Sequence, residues 1–204
     1  MKKIILTLAL IATAAIAANA QIGIGAGYIG RTQKTDIGSV ADAKAALNGV
    51  YAGLDVHVDL IAGLGLTAGA FYNYSTADGV DITSLGISAL ADKATAKDQY
   101  VSVPVNLSYG LDLGLGKVFV FAGPTFEYAI SSEYSIEGVE QTYNMLKDGG
   151  YKNFNMLVGG GVGVILADKI RITAGYNKGL SDQADNDNVT AKTNQLYVGA
   201  ALLF

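Results

Sequence analysis

Val50-Tyr-Ala-Gly-Leu-Asp-Val-His-Val-Asp59 is the stretch on which the fold turns. Val50, Ala52, Leu54, Val56 and Val58 fall on one face of an extended chain, and Tyr51, Gly53, Asp55, His57 and Asp59 fall on the other. Strict alternation of this kind is the signature of a strand with two unlike faces, not of a helix. Leu60–Ala77 carries no charge, but it too alternates and holds Gly63, Gly65 and Gly69, so it does not read as a membrane-crossing helix.

The same pattern recurs along the chain. Eight strands are expected, over 22–31, 49–59, 64–75, 99–109, 117–130, 153–166, 169–179 and 194–204. One face collects Ile22, Ile24, Leu66, Val103, Leu107, Val120, Val162, Ile172 and Leu202 and is expected to carry no charge within the eight segments. The opposite face collects Arg31, Asp55, His57, Asp59, Asn73, Asn106, Glu127, Arg171, Asn177 and Gln195. Most strand glycines share that polar face, Gly27, Gly53, Gly163 and Gly199 among them. A narrow barrel needs small residues where its inner wall is crowded, so the polar, glycine-rich face is the inside.

Composition agrees. Of 204 residues 50% are hydrophobic and only 16% charged, against about a quarter charged in soluble chains, and the mean hydropathy is +0.32. There is no cysteine and a single histidine, which excludes disulfide scaffolds, thiol chemistry and histidine-rich metal centres. Lys+Arg 14 against Asp+Glu 18 gives −4, which opposes nucleic-acid binding driven by basic charge.

The connections alternate in length. Those near Ile61–Gly63, Gly110–Gly116 and Ala167–Asp168 are short, whereas Thr32–Asn48, Thr76–Asp98, Ser131–Lys152 and Leu180–Thr193 are long and polar. Short turns at one end and long loops at the other are the outer-membrane arrangement, with both termini in the periplasm. Val40–Leu47, Ser84–Ala96 and Glu137–Lys147 are expected to form short helices within the loops. Lys2 and Lys3, the apolar run Ile4–Ala18 and the small-residue triplet Ala18-Asn19-Ala20 read as a cleavable signal peptide over 1–20. The fold class is therefore all-β: an eight-stranded antiparallel up-and-down transmembrane β-barrel over 21–204. A soluble carrier barrel would have the reverse polarity, with its apolar residues lining a cavity.

Aromatics mark the membrane surfaces. Tyr28, Tyr74, Tyr128, Phe154 and Tyr176 fall at the loop ends of their strands and Tyr109 at a turn end, where an interfacial girdle belongs. Pro104 and Pro124 lie roughly opposite each other, and each removes a ladder donor. A shared bulge or bonding gap is expected there.

Asn194-Gln-Leu-Tyr-Val-Gly-Ala-Ala-Leu-Leu-Phe204 resembles the closing strand of outer-membrane barrels. Val118-Phe-Val-Phe-Ala-Gly-Pro-Thr-Phe-Glu-Tyr128 and Ile170-Arg-Ile-Thr-Ala-Gly-Tyr-Asn-Lys-Gly-Leu180 are similar to strands of the small porin-like barrel family, the OmpX and OmpA-membrane-domain type. The resemblance covers the chain after the signal. It implies that Val198, Ala200, Leu202 and Phe204 form the signal read by the barrel-assembly machinery. Leu202 stands where that family usually has an aromatic.

Catalytic motifs are sparse. Gly25-Ala-Gly-Tyr-Ile-Gly30 matches a dinucleotide fingerprint but lies within a strand rather than between a strand and a helix. His57 is the sole imidazole, near the periplasmic end, with no inward serine or threonine on its own strand to act as a nucleophile. An ion-pair cluster is expected instead: Arg171 with Asp55 or Asp59 beside His57, and a second, higher pair of Arg31 with Glu127. With Phe71, Phe119, Phe121, Tyr51 and Tyr100 these would fill the lumen. Ser181–Asn188 reads as a solvated acidic loop without the glycine turn of a calcium loop. Lys34, Lys93, Lys97, Lys178 and Lys192 lie in or beside the loops, where lipopolysaccharide phosphates can pair with them.

The expectation is a monomeric integral protein of a Gram-negative outer membrane, in contact with membrane lipid and lipopolysaccharide, without catalytic, cofactor or metal site. Its role would be structural, adhesive or surface-interacting through loops of unknown ligand. A weak passive pore for small solutes is the alternative, and a lipid-modifying enzyme the third reading.

Overall fold

The computed structural model describes residues 20–36, 42–78, 94–114, 116–136, 142–144, 146–147, 151–184 and 190–204. Their strands are β1 (Ala20–Asp36), β2 (Asp42–Asp59), β3 (Leu64–Asp78), β4 (Ala94–Asp112), β5 (Gly116–Ile136), β6 (Thr142–Asn144), β7 (Phe154–Leu166), β8 (Ile170–Gly179) and β9 (Thr190–Leu203). Every pairing is antiparallel, each long strand bonds its chain neighbours, and β1 pairs with β9 to close the ring. The short β6 is appended to the loop end of β5, with Glu133 opposite Asn144. Eight long strands thus form a barrel without open edges, the closure that a strand-built wall needs in a solvent offering no hydrogen bonds. Among the described residues no helix is long and apolar enough to cross a membrane.

Side-chain direction follows the alternation. Leu54 is 55% exposed while its neighbour Asp55 is 3% exposed. Ile24, Leu107, Val120, Val162 and Leu202 likewise point outward into the surroundings, and Asn73, Asn155, Asn177 and Gln195 point inward and are buried. The core of this molecule buries its charged and amide side chains beside an apolar cluster of Phe119, Phe121, Ile165 and Leu203, and its outer wall is apolar.

The turns obey ordinary local chemistry. Ala167 and Asp168 both take positive φ, 48° and 56°, the two-residue geometry whose twist matches that of the flanking strands. Gly114 takes φ 84°, and its N–H donates to Asp112 Oδ1 at 2.8 Å. Inside the barrel, a Cβ at Gly163 would collide with the Phe119 ring, and one at Gly199 with the Tyr51 hydroxyl. These two glycines make room for the aromatics that fill the lumen.

Several expectations need correction. β1, β2, β4 and β5 run well past the expected ends, so the loops are shorter than the sequence suggests. Asp42–Leu47, expected to be helical, is strand: it pairs with Arg31–Asp36 of β1, and that cross-strand pairing overrides the helix propensity of its alanines. Val40 and Ala41 lie outside the described residues. Of Ser84–Ala96, only Ala94–Ala96 is described, as strand, and of Glu137–Lys147 the segment Thr142–Asn144 is strand rather than helix. Lys178 breaks the rule of an uncharged outer face: it follows Tyr176 at the loop end of β8 and is exposed, beyond the apolar band. The expected signal segment 1–20 lies outside the described residues apart from Ala20, as does Lys93.

At the prolines, the β4–β5 ladder passes from Pro104–Thr125 to Leu107–Ala122 and skips the two rungs between. Pro124 stands one rung from Pro104 within this gap. The register shift on the same pair falls higher, between Gln99 and Tyr100.

Candidate functional site in the lumen

The lumen is built from inward side chains in two charged layers separated by aromatics. In the lower layer, nearer the short turns, the Arg171 guanidinium of β8 donates to Asp55 Oδ2 of β2, and both residues are buried. Asp59 is not part of that pair. It sits at the rim, its side chain 57% exposed, and accepts from Lys117 Nζ at 2.7 Å. Its side chain therefore belongs to the mouth rather than to the packed interior.

His57 links this layer to β3. Its Nδ1 lies 2.8 Å from Thr67 Oγ1 and its Nε2 lies 3.4 Å from Asp59 Oδ1. The hydroxyl absent from its own strand is supplied by the neighbouring one, since Thr67 stands directly opposite His57 in the β2–β3 register. The connectivity is hydroxyl, imidazole, carboxylate, with the carboxylate engaged by Lys117.

In the upper layer Arg31 of β1 reaches Glu127 of β5, Nη2 to Oε2, at 3.5 Å. Asn155 Nδ2 donates to the same oxygen at 3.0 Å and Gln195 Nε2 donates to Oε1 at 2.5 Å. The Arg31 guanidinium carbon lies 3.9 Å from the centre of the Tyr100 ring. A buried charge pair is tolerable only when its remaining donors and acceptors are also satisfied; here two neutral amides complete the carboxylate and an aromatic face covers the cation.

Between the layers Tyr51 packs edge-on against Phe71 and Tyr197, with ring centres 5.6 Å and 6.5 Å apart. Phe119 and Phe121 pack beside each other from β5. Two cavities lie among the described residues of the lumen. The lower, about 120 Å³, is lined by residues including Asp55, His57, Thr67, Lys117 and Tyr197. The upper, about 30 Å³, is lined by residues including Arg31, Asp98, Tyr100, Glu127 and Lys152. No residue lines both.

On the outer wall Tyr28, Tyr74, Tyr128, Phe154, Tyr176 and Tyr109 are all at least 36% exposed. The Tyr28 hydroxyl donates to Asn48 Oδ1, and the Tyr72 hydroxyl to Gln99 Oε1 at 2.8 Å. Val198 and Leu202 face outward and Ala200 is exposed beside them. Phe204 exchanges backbone hydrogen bonds with Ile22 at 2.9 and 3.1 Å and leaves its ring outside. Of the acidic loop, Asp185–Asn188 lies outside the described residues.

Lys117, Thr67 and the amides of Asn155 and Gln195 are the partners that sequence reasoning did not assign. Alternation marks each as inward, but the choice of partner depends on register between strands distant in sequence.

The chain matches the family model described as outer membrane protein beta-barrel domain over residues 15–185. No curated protein sequence matches it. Among solved structures, a major outer membrane protein of Thermus thermophilus is similar at 16% identity and TM-score 0.48, covering 91% of this chain and 99% of that one. The attachment invasion locus protein Ail of Yersinia pestis is similar at 14% identity and TM-score 0.46, covering 91% and 99%. Neisserial surface protein A is similar at 14% identity and TM-score 0.46, covering 92% and 98%.

Proposed function

The chain belongs to the outer membrane protein beta-barrel domain family and is integral to the outer membrane, and from that premise we propose that it is a closed-lumen surface protein, acting through its loops and its outer wall rather than as a pore. The observation that carries this reading is the layer of Arg31, Tyr100, Glu127, Asn155 and Gln195, which separates the two lumenal cavities. A solute would have to displace a buried ion pair and its hydrogen bonds to pass, and breaking such a pair costs several kcal/mol, about 3–5. The loops at that end then carry contact with other surfaces, in an adhesive or envelope-supporting role.

Residues 1–20 act as the removable export signal, and Val198, Ala200, Leu202 and Phe204 as the ending recognised during barrel assembly. The lower Asp55–Arg171 pair and the His57–Thr67 contact serve packing. The Thr67–His57–Asp59 chain of contacts lies at the periplasmic rim, away from the outer leaflet, and its carboxylate is held by Lys117; a non-enzymatic role fits this best.

Planar-bilayer recording of the purified protein tests the closed lumen. The expected record shows no stable conductance steps in the wild type and clear steps once Glu127 and Arg31 are both replaced by alanine. Regular steps in the wild type at neutral pH would favour the alternative, a weak passive pore.

A further inference from the structure

Lys34 of β1 stands directly opposite Lys192 of β9 on one side and Lys44 of β2 on the other. Adjacent strands lie about 4.8 Å apart, so three lysine positions form one rung roughly 10 Å wide. Like charges directly opposite one another destabilise a sheet. The β4–β5 ladder avoids this, with Lys97 opposite Glu133 and Lys117 opposite Asp112, whereas on the β1–β2 ladder Asp36 stands opposite Asp42, two residues beyond the lysine rung. Lys34, Lys192 and Lys178 are exposed on the outer wall, and none of the three pairs with a carboxylate among the residues whose side chains are described.

The wall below this rung is graded. Tyr28 and Val198 share a rung, and Leu196 stands opposite both Gly30 and Tyr176; Tyr28, Val198, Leu196 and Tyr176 are all exposed outward. Next come Thr32 and Asn194, opposite each other, with Lys178 opposite Asn194. The lysine rung follows, two residues or about 7 Å further along the strands. Ascending to the lysine rung, the surface passes from hydrocarbon-compatible to hydrogen-bonding to cationic on one seam across β2, β1, β9 and β8, and the rung beyond it carries Asp36 opposite Asp42.

We propose that this seam is a binding site for the phosphorylated headgroup of an outer-leaflet glycolipid, with Lys34 and Lys192 holding one phosphate-bearing part and Lys178 a lower one. The acyl chains then lie on Val198, Leu196 and Tyr176, and Thr32 and Asn194 hydrogen-bond the sugar between. The anion relieves the repulsion that the facing lysines create, and continuity with the apolar wall selects a lipid over a soluble anion. The site rests on the outer-membrane location and is independent of whether the lumen is closed.

The test uses the full mature protein folded in a neutral detergent and titrated with bisphosphorylated lipid A, its dephosphorylated form and inorganic pyrophosphate, with bound lipid read by native mass spectrometry. A basic residue near an anionic lipid surface is worth about fivefold in binding, so K34Q/K192Q is expected to bind bisphosphorylated lipid A about 25-fold more weakly. K97Q, whose lysine faces Glu133, is expected to bind as the wild type does. Dephosphorylated lipid is expected to bind weakly to both proteins, and pyrophosphate not to compete. In detergent without lipid, K34Q/K192Q is expected to melt no lower than the wild type, because it loses a repulsion. Should the double variant fail to fold, K178Q alone is read, with about fivefold weakening expected. Unchanged binding in these variants, or equal retention of dephosphorylated lipid, overturns the proposal. Competition by pyrophosphate at the same concentration as lipid also overturns it, assigning the rung to a soluble polyanion.

Discussion

Arg31 and Tyr100 are stacked across the lumen from strands that do not touch: the guanidinium carbon is 3.9 Å from the ring centre, although β1 and β4 are separated by β2 and β3 in the barrel wall. The cation therefore has an aromatic on one side and Glu127 on the other, and the contact spans the barrel's width. Replacing Arg31 by alanine leaves Glu127 buried with only amide partners. Stability in urea titrations of the vesicle-reconstituted protein is expected to fall by about 3–5 kcal/mol. R31A/E127A is expected to recover part of that loss, and full additivity of the two single losses would show that the groups do not interact.

Gly163 and Phe119 make a second such dependence. They face each other in the β5–β7 register, and an added Cβ would meet the Phe119 ring. Overpacking of this kind costs about 1–3 kcal/mol. G163A is expected to lower the melting temperature and F119L to restore most of it in the double variant. Failure of F119L to rescue would place the clash on the backbone carbonyl of Ile172 instead.

Leu54 occupies the middle of β2, exposed on the outer wall beside Ile24 and Ala70. In a bilayer an arginine at the midplane of a barrel's lipid face costs roughly 2–4 kcal/mol. L54R is expected to show a loss of that size in lipid vesicles and a much smaller one in lipid-free detergent. Equal losses in the two media would contradict a hydrocarbon environment at this position.

Asp182 lies beyond the end of β8, in the last loop. The slight desolvation it suffers pushes its carboxyl up, but the N–H groups of Ala191 and Ala184, at 2.8 and 3.0 Å, with the Thr190 hydroxyl and Lys152, outweigh it and hold the carboxyl below its ordinary value of 3.8. A depressed folded pKa means that the contribution is fully present above the ordinary value and is lost as pH falls below it, through the lowered one. Amide exchange at Ala184 and Ala191 is expected to stay protected, after correction for intrinsic rates, from pH 7 to about pH 4 and to accelerate at lower pH. D182N is expected to remove that pH dependence.

Much of this was legible from alternation. The outward placing of Leu54 and the inward placing of Asp55 follow from adjacent positions in one strand, and the same parity places Arg31, Glu127 and Arg171 inside. Asp42–Leu47 was not legible, because its local preference is helical and only a partner strand makes it extended. The choice between Asp55 and Asp59 as the partner of Arg171 was not legible either, because one strand places both on one face and only their heights in the barrel separate them. His57 was read without a hydroxyl because Thr67 belongs to another strand.

The sequence alone determined which side of each strand meets lipid, since a period of two and the exclusion of charge from hydrocarbon act residue by residue. Only the tertiary structure decided which charges meet across the lumen, how two cavities are parted, and that Lys34, Lys44 and Lys192 fall on one rung. Those relations are set by strand register and ring closure, which bring together residues far apart in the chain.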